Sequence, residues 1–272
     1  MFKYIGIRGH RGAGKNTIAY LLGTAIEFYL QHNSWEGFEL QYQLAVQKVL
    51  EEGSETIPEY DFKNVYFESF ADTAKITLAQ IIGLPVDWMY NDWCKDATII
   101  DMCDFSFEKA QNKLNLYSML NLKKDNMYTA EQLYHAMQQC DITQTKDHVY
   151  ITLRELIVYY SKYIVQKYFG RNVWVKSLEN NKWENERFYA FNKTIYKIFV
   201  DCKFPTEISY IYNNKGKIVN VVRANNIKPD TDFSDQLAND TRYDYEIELD
   251  GDLLKTETIK TIKDITLKIL SE

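Results

Sequence analysis

Short apolar runs alternate with helical patterns along much of the chain. The run Tyr4–Ile7 precedes a glycine-rich stretch, after which apolar residues recur at three- and four-residue intervals. This pattern predicts a strand followed by a helix over about 15–30. Another apolar run, Val65–Phe70, predicts a second strand, and turn residues on both sides of 72–82 mark the helix expected after it. The N-terminal part therefore predicts two strand–helix pairs.

The last third of the chain repeats this alternation. Its apolar runs and helical spacings predict strands over Tyr196–Val200, Lys217–Val222 and Tyr245–Leu249, and helices over Pro205–Asn213 and along Ile259–Ile269. Strands that alternate with helices favour an α/β fold, in which helices cover both faces of a mostly parallel sheet.

Two stretches, at about 31–64 and 86–150, interrupt the alternation. We expect both to be helical insertions in a single domain over residues 1–272, because no repeat or Pro/Gly-rich linker divides the chain. The first insertion contains a predicted helix over Leu40–Glu52, and the second contains one near 131–139. Directly after the second, Thr152-Leu153-Arg154-Glu155 is a capping box that predicts the start of another helix.

The glycine-rich stretch after the first strand carries the clearest chemical signal. Its sequence, GHRGAGKNT at residues 9–17, follows the P-loop pattern G-x-x-x-x-G-K-[ST], except that Asn16 replaces Ser or Thr. Main-chain N–H groups of such a loop wrap phosphate oxygens at the start of a helix. We therefore predict an ATP site formed by Gly9, Arg11, Gly12, Ala13, Gly14, Lys15, Asn16 and Thr17, in which Lys15 reaches the β- and γ-phosphates.

Asp201 follows the apolar strand predicted over 196–200. The carboxyl ends of parallel strands face the ligand in open α/β sheets, so this carboxylate is expected to orient Mg²⁺. The Asn16 carboxamide is the second predicted metal-site group. The alternative for Asp201 is a cap on the following turn.

Three cations lie at or near the ends of predicted elements. Arg154 opens a helix, Arg223 follows a strand, and Lys75 lies one turn into the helix after the second strand. Phosphoryl transfer requires cations around the transferred group, and the planar fork of arginine suits that task. We expect Arg223 to contact ATP, and Arg154 and Lys75 to hold an acceptor phosphate. The alternative for each is a solvent-facing cation.

Charge and composition narrow the class of protein. The net charge of -6 argues against a general nucleic-acid-binding protein. No apolar run approaches the roughly 20 residues that span a bilayer, and the cysteines and histidines show no metal or redox spacing. We expect a cytoplasmic protein with reduced thiols and, because the sequence opens on a strand, no signal peptide.

Other P-loop machines fit less well. A GTPase needs an Asn-Lys-x-Asp motif, and the segment that begins Asn192-Lys193 lacks the Asp. A motor ATPase usually carries adjacent acidic residues after the Walker-B strand, whereas here Cys202 and Lys203 follow Asp201. A small-molecule kinase remains.

Five segments support that class in their order and spacing. They are Phe70-Ala71-Asp72-x-x-Lys75, Thr152-Leu153-Arg154-Glu155-Leu156, Phe169-Gly170-x-x-x-Trp174-Val175, Asp201-x-Lys203-Phe204-Pro205-x-Glu207 and Asp230-Thr231-x-x-Ser234-Asp235. Together they resemble the bacteriophage deoxynucleoside monophosphate kinases, a resemblance that covers most of the chain outside 31–64 and 86–150.

The resemblance implies a three-layer P-loop kinase fold and transfer of phosphate from ATP, with Mg²⁺, to a dNMP. It implies catalytic roles for Lys15, Arg154, Asp201 and Lys203, and acceptor binding by Asp72, Lys75 and Arg154. It also implies a homodimer and, if the protein is viral, the host cytoplasm.

The chain departs from the family pattern at four positions. Asn16 replaces an acid, Lys203 an arginine, Asp232 a histidine and Leu249 a base-side asparagine. Two alternatives therefore stay open. One is a P-loop kinase with another acceptor, similar to dephospho-coenzyme A kinase, and the other is a nucleotide-binding regulatory protein with weak catalysis.

Overall fold

The computed structural model describes residues 1–10, 12–53, 57–58, 60–101, 150–170, 172–178, 193–223 and 242–271. The chain divides into two compact units. Unit 1 comprises Met1–Ala71 and Trp174–Glu272, and unit 2 comprises Asp72–Val173. The single-domain assignment stays a prediction. The helix expected near 131–139, Arg11, and the predicted segment that contains Asp230, Asp232 and Asp235 lie outside the described residues.

The strands and helices follow the chain in the order expected of an α/β protein. The strands are β1 (Phe2–Arg8), β2 (Val65–Glu68), β3 (Ile99–Asp101), β4 (Tyr150–Thr152), β5 (Ile195–Phe199), β6 (Lys217–Arg223) and β7 (Tyr245–Leu249). The α-helices are α1 (Lys15–His32), α2 (Phe38–Glu52), α3 (Asp72–Ile82), α4 (Asp92–Ala97), α5 (Leu153–Tyr159), α6 (Gln166–Phe169), α7 (Pro205–Asn213) and α8 (Thr256–Ser271). A 3₁₀ turn covers Val86–Met89, and Tyr160–Val165 is π-helical.

Unit 1 contains a five-stranded parallel sheet in the order β2-β5-β1-β6-β7. Its central strand β1 pairs with β5 on one side, where Phe2 is level with Ile195. On the other side it pairs with β6, where Ile5 is level with Lys217. The expected α/β fold with a mostly parallel sheet is therefore confirmed.

Both faces of this sheet are covered, as apolar runs in parallel strands predict. On one face α1, α2 and α8 bury a continuous apolar core against the strands. On the other face Tyr4, Phe70 and Phe199 pack with Tyr210 of α7, at ring-centroid distances of 4.9 to 6.0 Å. All five residues of β5 are buried, because the strand lies inside the sheet with both faces covered.

Unit 2 has its own small core. Its members are Leu78, Ala79, Leu84, Met89, Ile100, Leu153 and Leu156. The capping box predicted at Thr152 is confirmed: the Thr152 hydroxyl accepts from the Glu155 N–H at 3.1 Å, and the Glu155 carboxylate accepts from the Thr152 N–H at 2.8 Å. The short antiparallel pair β3–β4 was not predicted, because three residues are too few to show a strand periodicity.

Most predicted bounds agree with the structure to within two residues. Helix α7 and strand β7 have the bounds expected from the sequence. Arg223 is the last residue of β6 rather than the residue after it. Within the described ranges, no helix is long and apolar enough to cross a membrane.

Candidate functional site

The strand order brings three separate parts of the sequence to one edge of the unit 1 sheet. A glycine loop (Gly9–Gly14) follows β1, Asp201 lies just beyond β5, and Arg223 ends β6. These strands are neighbours and parallel, so their carboxyl ends meet at the same edge. The connection after β1 leads to β2 on one side of β1, whereas the connection after β5 leads to β6 on the other side. Ligands of open α/β sheets bind at a point where the strand order reverses in this way.

The glycine loop has a backbone that other residues would not adopt easily. Gly9 has φ 148°, and a Cβ there would lie 2.5 Å from the Val221 carbonyl oxygen of β6. Gly14 precedes α1 in a left-handed conformation with φ 89°, and it supplies no side-chain cap. The N–H groups of the first helical turn have no partner within the helix, which makes a helix N-terminus suited to anions.

Two cations border the glycine loop and donate to its carbonyl groups. The Lys15 ammonium Nζ lies 2.9 Å from the Gly9 carbonyl oxygen and 2.8 Å from that of His10. The Arg223 guanidinium Nη1 lies 3.2 Å from the Gly12 carbonyl oxygen. The structure therefore places Lys15 and Arg223, two of the three cations predicted for the ATP site, at the loop, although they are 208 positions apart in the sequence.

The remaining described loop residues differ in exposure. Ala13 and Thr17 are buried, and Asn16 is half-buried at the start of α1. Thr17 and Ala13 thus contribute to packing beneath the loop. Any role of theirs toward a phosphate would use main-chain N–H groups or the Thr17 hydroxyl.

The Asp201 carboxylate is held by the turn that follows β2. The Ser69 hydroxyl donates to Oδ2 at 2.7 Å, and the Phe70 N–H donates to Oδ1 at 3.2 Å. Ser69 was not predicted as a site residue. Ser69 lay inside the strand predicted over Val65–Phe70, whereas β2 ends at Glu68. Its place near the carboxyl end of a predicted parallel strand was the available signal, because that is where side chains reach the edge that binds ligands.

Behind Asp201, a second carboxyl group is buried. Glu207 is 5% exposed, and its Oε2 accepts from the Lys203 N–H at 2.8 Å and from the Phe204 N–H at 2.9 Å. Burial, and then the nearby Asp201 charge, raise the pKa of Glu207 to about 8. Burial also raises the pKa of the Cys202 thiol well above its usual value. Glu207 therefore fixes the main chain at Lys203 from the interior.

The predicted acceptor residues lie in unit 2, where each has a specific partner. Asp72 Oδ1 accepts from the Tyr90 hydroxyl at 2.9 Å, and the Lys75 ammonium lies 4.5 Å from the centroid of the same Tyr90 ring. Arg154 pairs with Asp96 through two donors: Nε contacts Oδ1, and Nη2 lies 3.1 Å from Oδ2. Tyr90 and Asp96 could not be predicted from the sequence, because only the fold brings them next to these partners.

Metal-binding capacity in the described ranges is limited. No group of three or more His, Cys, Asp or Glu residues there could hold a metal ion. Asp201 supplies a carboxylate just beyond β5, and Asn16 supplies a carboxamide in the first turn of α1. Such a pair suits a hard cation that keeps waters and takes its other ligands from a substrate.

Comparison with known proteins adds no assignment. No protein-family model matches the chain, and no curated protein matches it.

Proposed function

We propose that the protein is a P-loop kinase that transfers the γ-phosphate of ATP to a deoxynucleoside monophosphate, giving dNDP and ADP. One observation carries the proposal: Lys15 and Arg223 both donate to the glycine loop, next to a strand end that presents Asp201. The motif resemblance supplies the acceptor class.

The donor half would use main-chain groups and cations together. The triphosphate would accept hydrogen bonds from loop N–H groups and from the first turn of α1, whose dipole favours anions. Lys15 and Arg223 donate to neutral carbonyl oxygens in the structure. Phosphate oxygens attract these cations more strongly than carbonyl oxygens do, because phosphate adds an opposite charge to the hydrogen bond.

The residues at the edge fit Mg²⁺ bound together with a nucleotide. Magnesium is usually held by one or two carboxylates plus substrate phosphates, rather than by a cage of protein ligands. Asp201 and Asn16 would hold it, and the ion would neutralise charge on the phosphates. The donor set contains no thiolate or imidazole that would favour zinc instead.

Within unit 2, the acceptor-binding residues would be Arg154, Lys75 and Asp72. Within unit 1, Lys203 would be a further cation near Asp201. Phosphoryl transfer relies on positioning and on stabilisation of charge, so a strong general base is not required. The proposed partners are ATP and a dNMP.

A coupled assay of ADP formation tests the proposal. ATP and Mg²⁺ are supplied with each of the four dNMPs in turn, and Lys15→Ala is the inactive control. Turnover with one or more dNMPs, lost in Lys15→Ala, supports the kinase. ATP binding without transfer to any dNMP would contradict it and would favour the regulatory protein instead. Transfer only to another acceptor, such as dephospho-coenzyme A, would favour the other kinase.

A further inference from the structure

Ser69 lies one residue beyond β2, beside the strand end that carries Asp201, and it is 7% exposed. We infer that Ser69 is a positioning residue, whose hydroxyl fixes the Asp201 carboxylate in the orientation that receives Mg²⁺. The inference rests on the proposed function, because it concerns the same metal. It names a residue that is included neither in the P-loop pattern nor in the five segments that resemble the kinase family.

The hydrogen bonds around Ser69 determine where its single hydroxyl proton lies. Ser69 Oγ accepts from the Ala71 N–H at 3.2 Å, and it lies 2.7 Å from Asp201 Oδ2. A hydroxyl has one proton to donate. An ionised carboxylate accepts only, so that proton is directed to Oδ2.

The second carboxylate oxygen is fixed independently. The Phe70 N–H donates to Asp201 Oδ1 at 3.2 Å. Each carboxylate oxygen can accept about two hydrogen bonds or ligand contacts, so one contact on each leaves acceptor capacity on both. The carboxylate is thus oriented without being saturated.

The turn that carries Ser69 is itself held in place. The Phe70 ring packs against Phe199 at 4.9 Å and against Tyr210 at 5.8 Å between centroids. The Val200 N–H also donates to the Glu68 carbonyl oxygen at 3.0 Å, which joins the ends of β2 and β5. The Ser69 hydroxyl therefore reaches Asp201 from a rigid support, as partners that orient a metal ligand do.

A purely structural tie between two strand ends would give a different result from a positioning role. Loss of a structural tie lowers stability and leaves the metal requirement unchanged. Loss of a positioning contact raises the metal requirement, because the partners of metal ligands typically contribute about 10- to 100-fold in metal affinity or activity.

The experiment compares Ser69→Ala with Ser69→Thr, which keeps the hydroxyl. Thr24→Val is the matched control, since it removes a buried hydroxyl that donates to the Tyr20 carbonyl oxygen at 2.9 Å inside α1. Three quantities are measured for each variant: the Mg²⁺ concentration at half-maximal rate, the KM for the dNMP, and Mn²⁺ binding to the ADP complex by electron paramagnetic resonance. Urea unfolding measures the stability of each variant.

We expect Ser69→Ala to raise the Mg²⁺ requirement about tenfold or more and to weaken Mn²⁺ binding by a similar factor. The KM for the dNMP should change little. Ser69→Thr should restore both metal readouts toward wild type, and Thr24→Val should alter only the unfolding midpoint.

Two results would overturn the inference, and they differ from a failure of the kinase proposal. If Ser69→Ala transfers phosphate with an unchanged Mg²⁺ requirement, Ser69 is only a structural tie while the kinase stands. If the wild type transfers no phosphate, the kinase proposal fails, and Mn²⁺ binding to the ADP complex decides the role of Ser69. Equal Mn²⁺ binding by wild type and Ser69→Ala, or none by either, would then reject it.

Discussion

Lys15 and Arg223 at the glycine loop of unit 1 have different hydrogen-bond acceptors from Arg154 of unit 2. In unit 1, Lys15 and Arg223 donate to main-chain carbonyl oxygens of the glycine loop. In unit 2, Arg154 is paired with the Asp96 carboxylate through two donors. A carbonyl oxygen carries no net charge, whereas a carboxylate balances the guanidinium. A phosphate that binds Lys15 and Arg223 would replace the carbonyl oxygens of the glycine loop as their acceptor. A phosphate that binds Arg154 would have to displace the Asp96 carboxylate or bind beside it.

This difference suggests different tasks for the two units. A loop bordered by cations on neutral acceptors favours tight binding of a highly charged group such as a triphosphate. A charge-balanced arginine discriminates more, because only a ligand that offers good geometry competes with a bidentate carboxylate. The predictions below test this contrast, beginning with the largest expected effect.

Lys15→Ala should impair the proposed ATP site and should therefore have the largest effect on phosphoryl transfer. We expect kcat to fall by about 10²- to 10³-fold, the loss typical of removing one preorganised charge-stabilising group. Rates with ATP and the preferred dNMP measure the effect. The matched control is Lys48→Ala, which removes a lysine whose 3.9 Å ion pair with Glu52 lies on α2. Similar rates for Lys15→Ala and Lys48→Ala would contradict the proposed donor site.

Because the carboxyl group of Glu207 is buried, the free energy of unfolding should decrease as the pH rises. The pKa of Glu207 is raised from 4.5 to about 8, so the folded state keeps a proton that the unfolded state has lost between those values. Stability is then lost as pH rises from about 4.5 to about 8, by up to about 1.4 kcal/mol per pH unit. Urea unfolding at several pH values measures this slope.

Glu207→Gln supplies the comparison for that slope. Its amide oxygen can still accept from the Lys203 and Phe204 N–H groups, but it does not titrate. We expect the variant to show a shallower decline in unfolding free energy across this pH range. Parallel curves for wild type and variant would show that Glu207 is not the source.

Arg154→Lys should sharpen the contrast between donor and acceptor. Lysine keeps the charge but cannot reproduce a planar two-donor contact. We expect the KM for the dNMP to rise about tenfold, equivalent to about 1.4 kcal/mol, while the KM for ATP changes little. Steady-state kinetics with each substrate varied in turn measure this. The matched control is Arg242→Lys, at an exposed arginine of unit 1 whose Nη2 lies 3.4 Å from the Ser209 hydroxyl. An equal rise in both KM values would count against separate tasks.

Asp96→Asn should have the smallest effect. The Asp96 and Arg154 side chains are 32% and 25% exposed, so solvent weakens their interaction. Loss of the charge should destabilise the protein by about 1 kcal/mol or less. Urea unfolding measures the change. A decrease of several kcal/mol in the unfolding free energy would show that the Asp96–Arg154 pair stabilises the core of unit 2 and is not a pair that a ligand can displace.

The sequence predicted elements well where local signals are strong. Pro205 at the first turn of α7 and the alternating pattern of β7 led to bounds that agree with the structure. The strands β3 and β4 were missed, because each has three residues and depends on a partner about 50 positions away. The π-helical stretch Tyr160–Val165 was also missed, since the capping box at Thr152 predicts only where a helix begins.

Site residues followed the same rule. The loop lies in one contiguous segment, so its spacing was visible in the sequence. Ser69 lies 132 positions from Asp201 and Asp96 lies 58 positions from Arg154, so only the fold reveals these contacts. Glu207 lies in one of the five segments that carry the resemblance, but its burial and raised pKa depend on the packing of α7 against the sheet.

The position of β1 in the sheet has a consequence for synthesis. The residues of β1 are synthesised before those of its two neighbours, β5 and β6, which both come from residues beyond 190. At about 5 to 20 residues per second, β1 would wait roughly 10 to 40 s before β5 emerges. During that interval a strand whose central residues are buried in the folded protein has no partner, so the nascent chain is exposed to aggregation until β5 emerges.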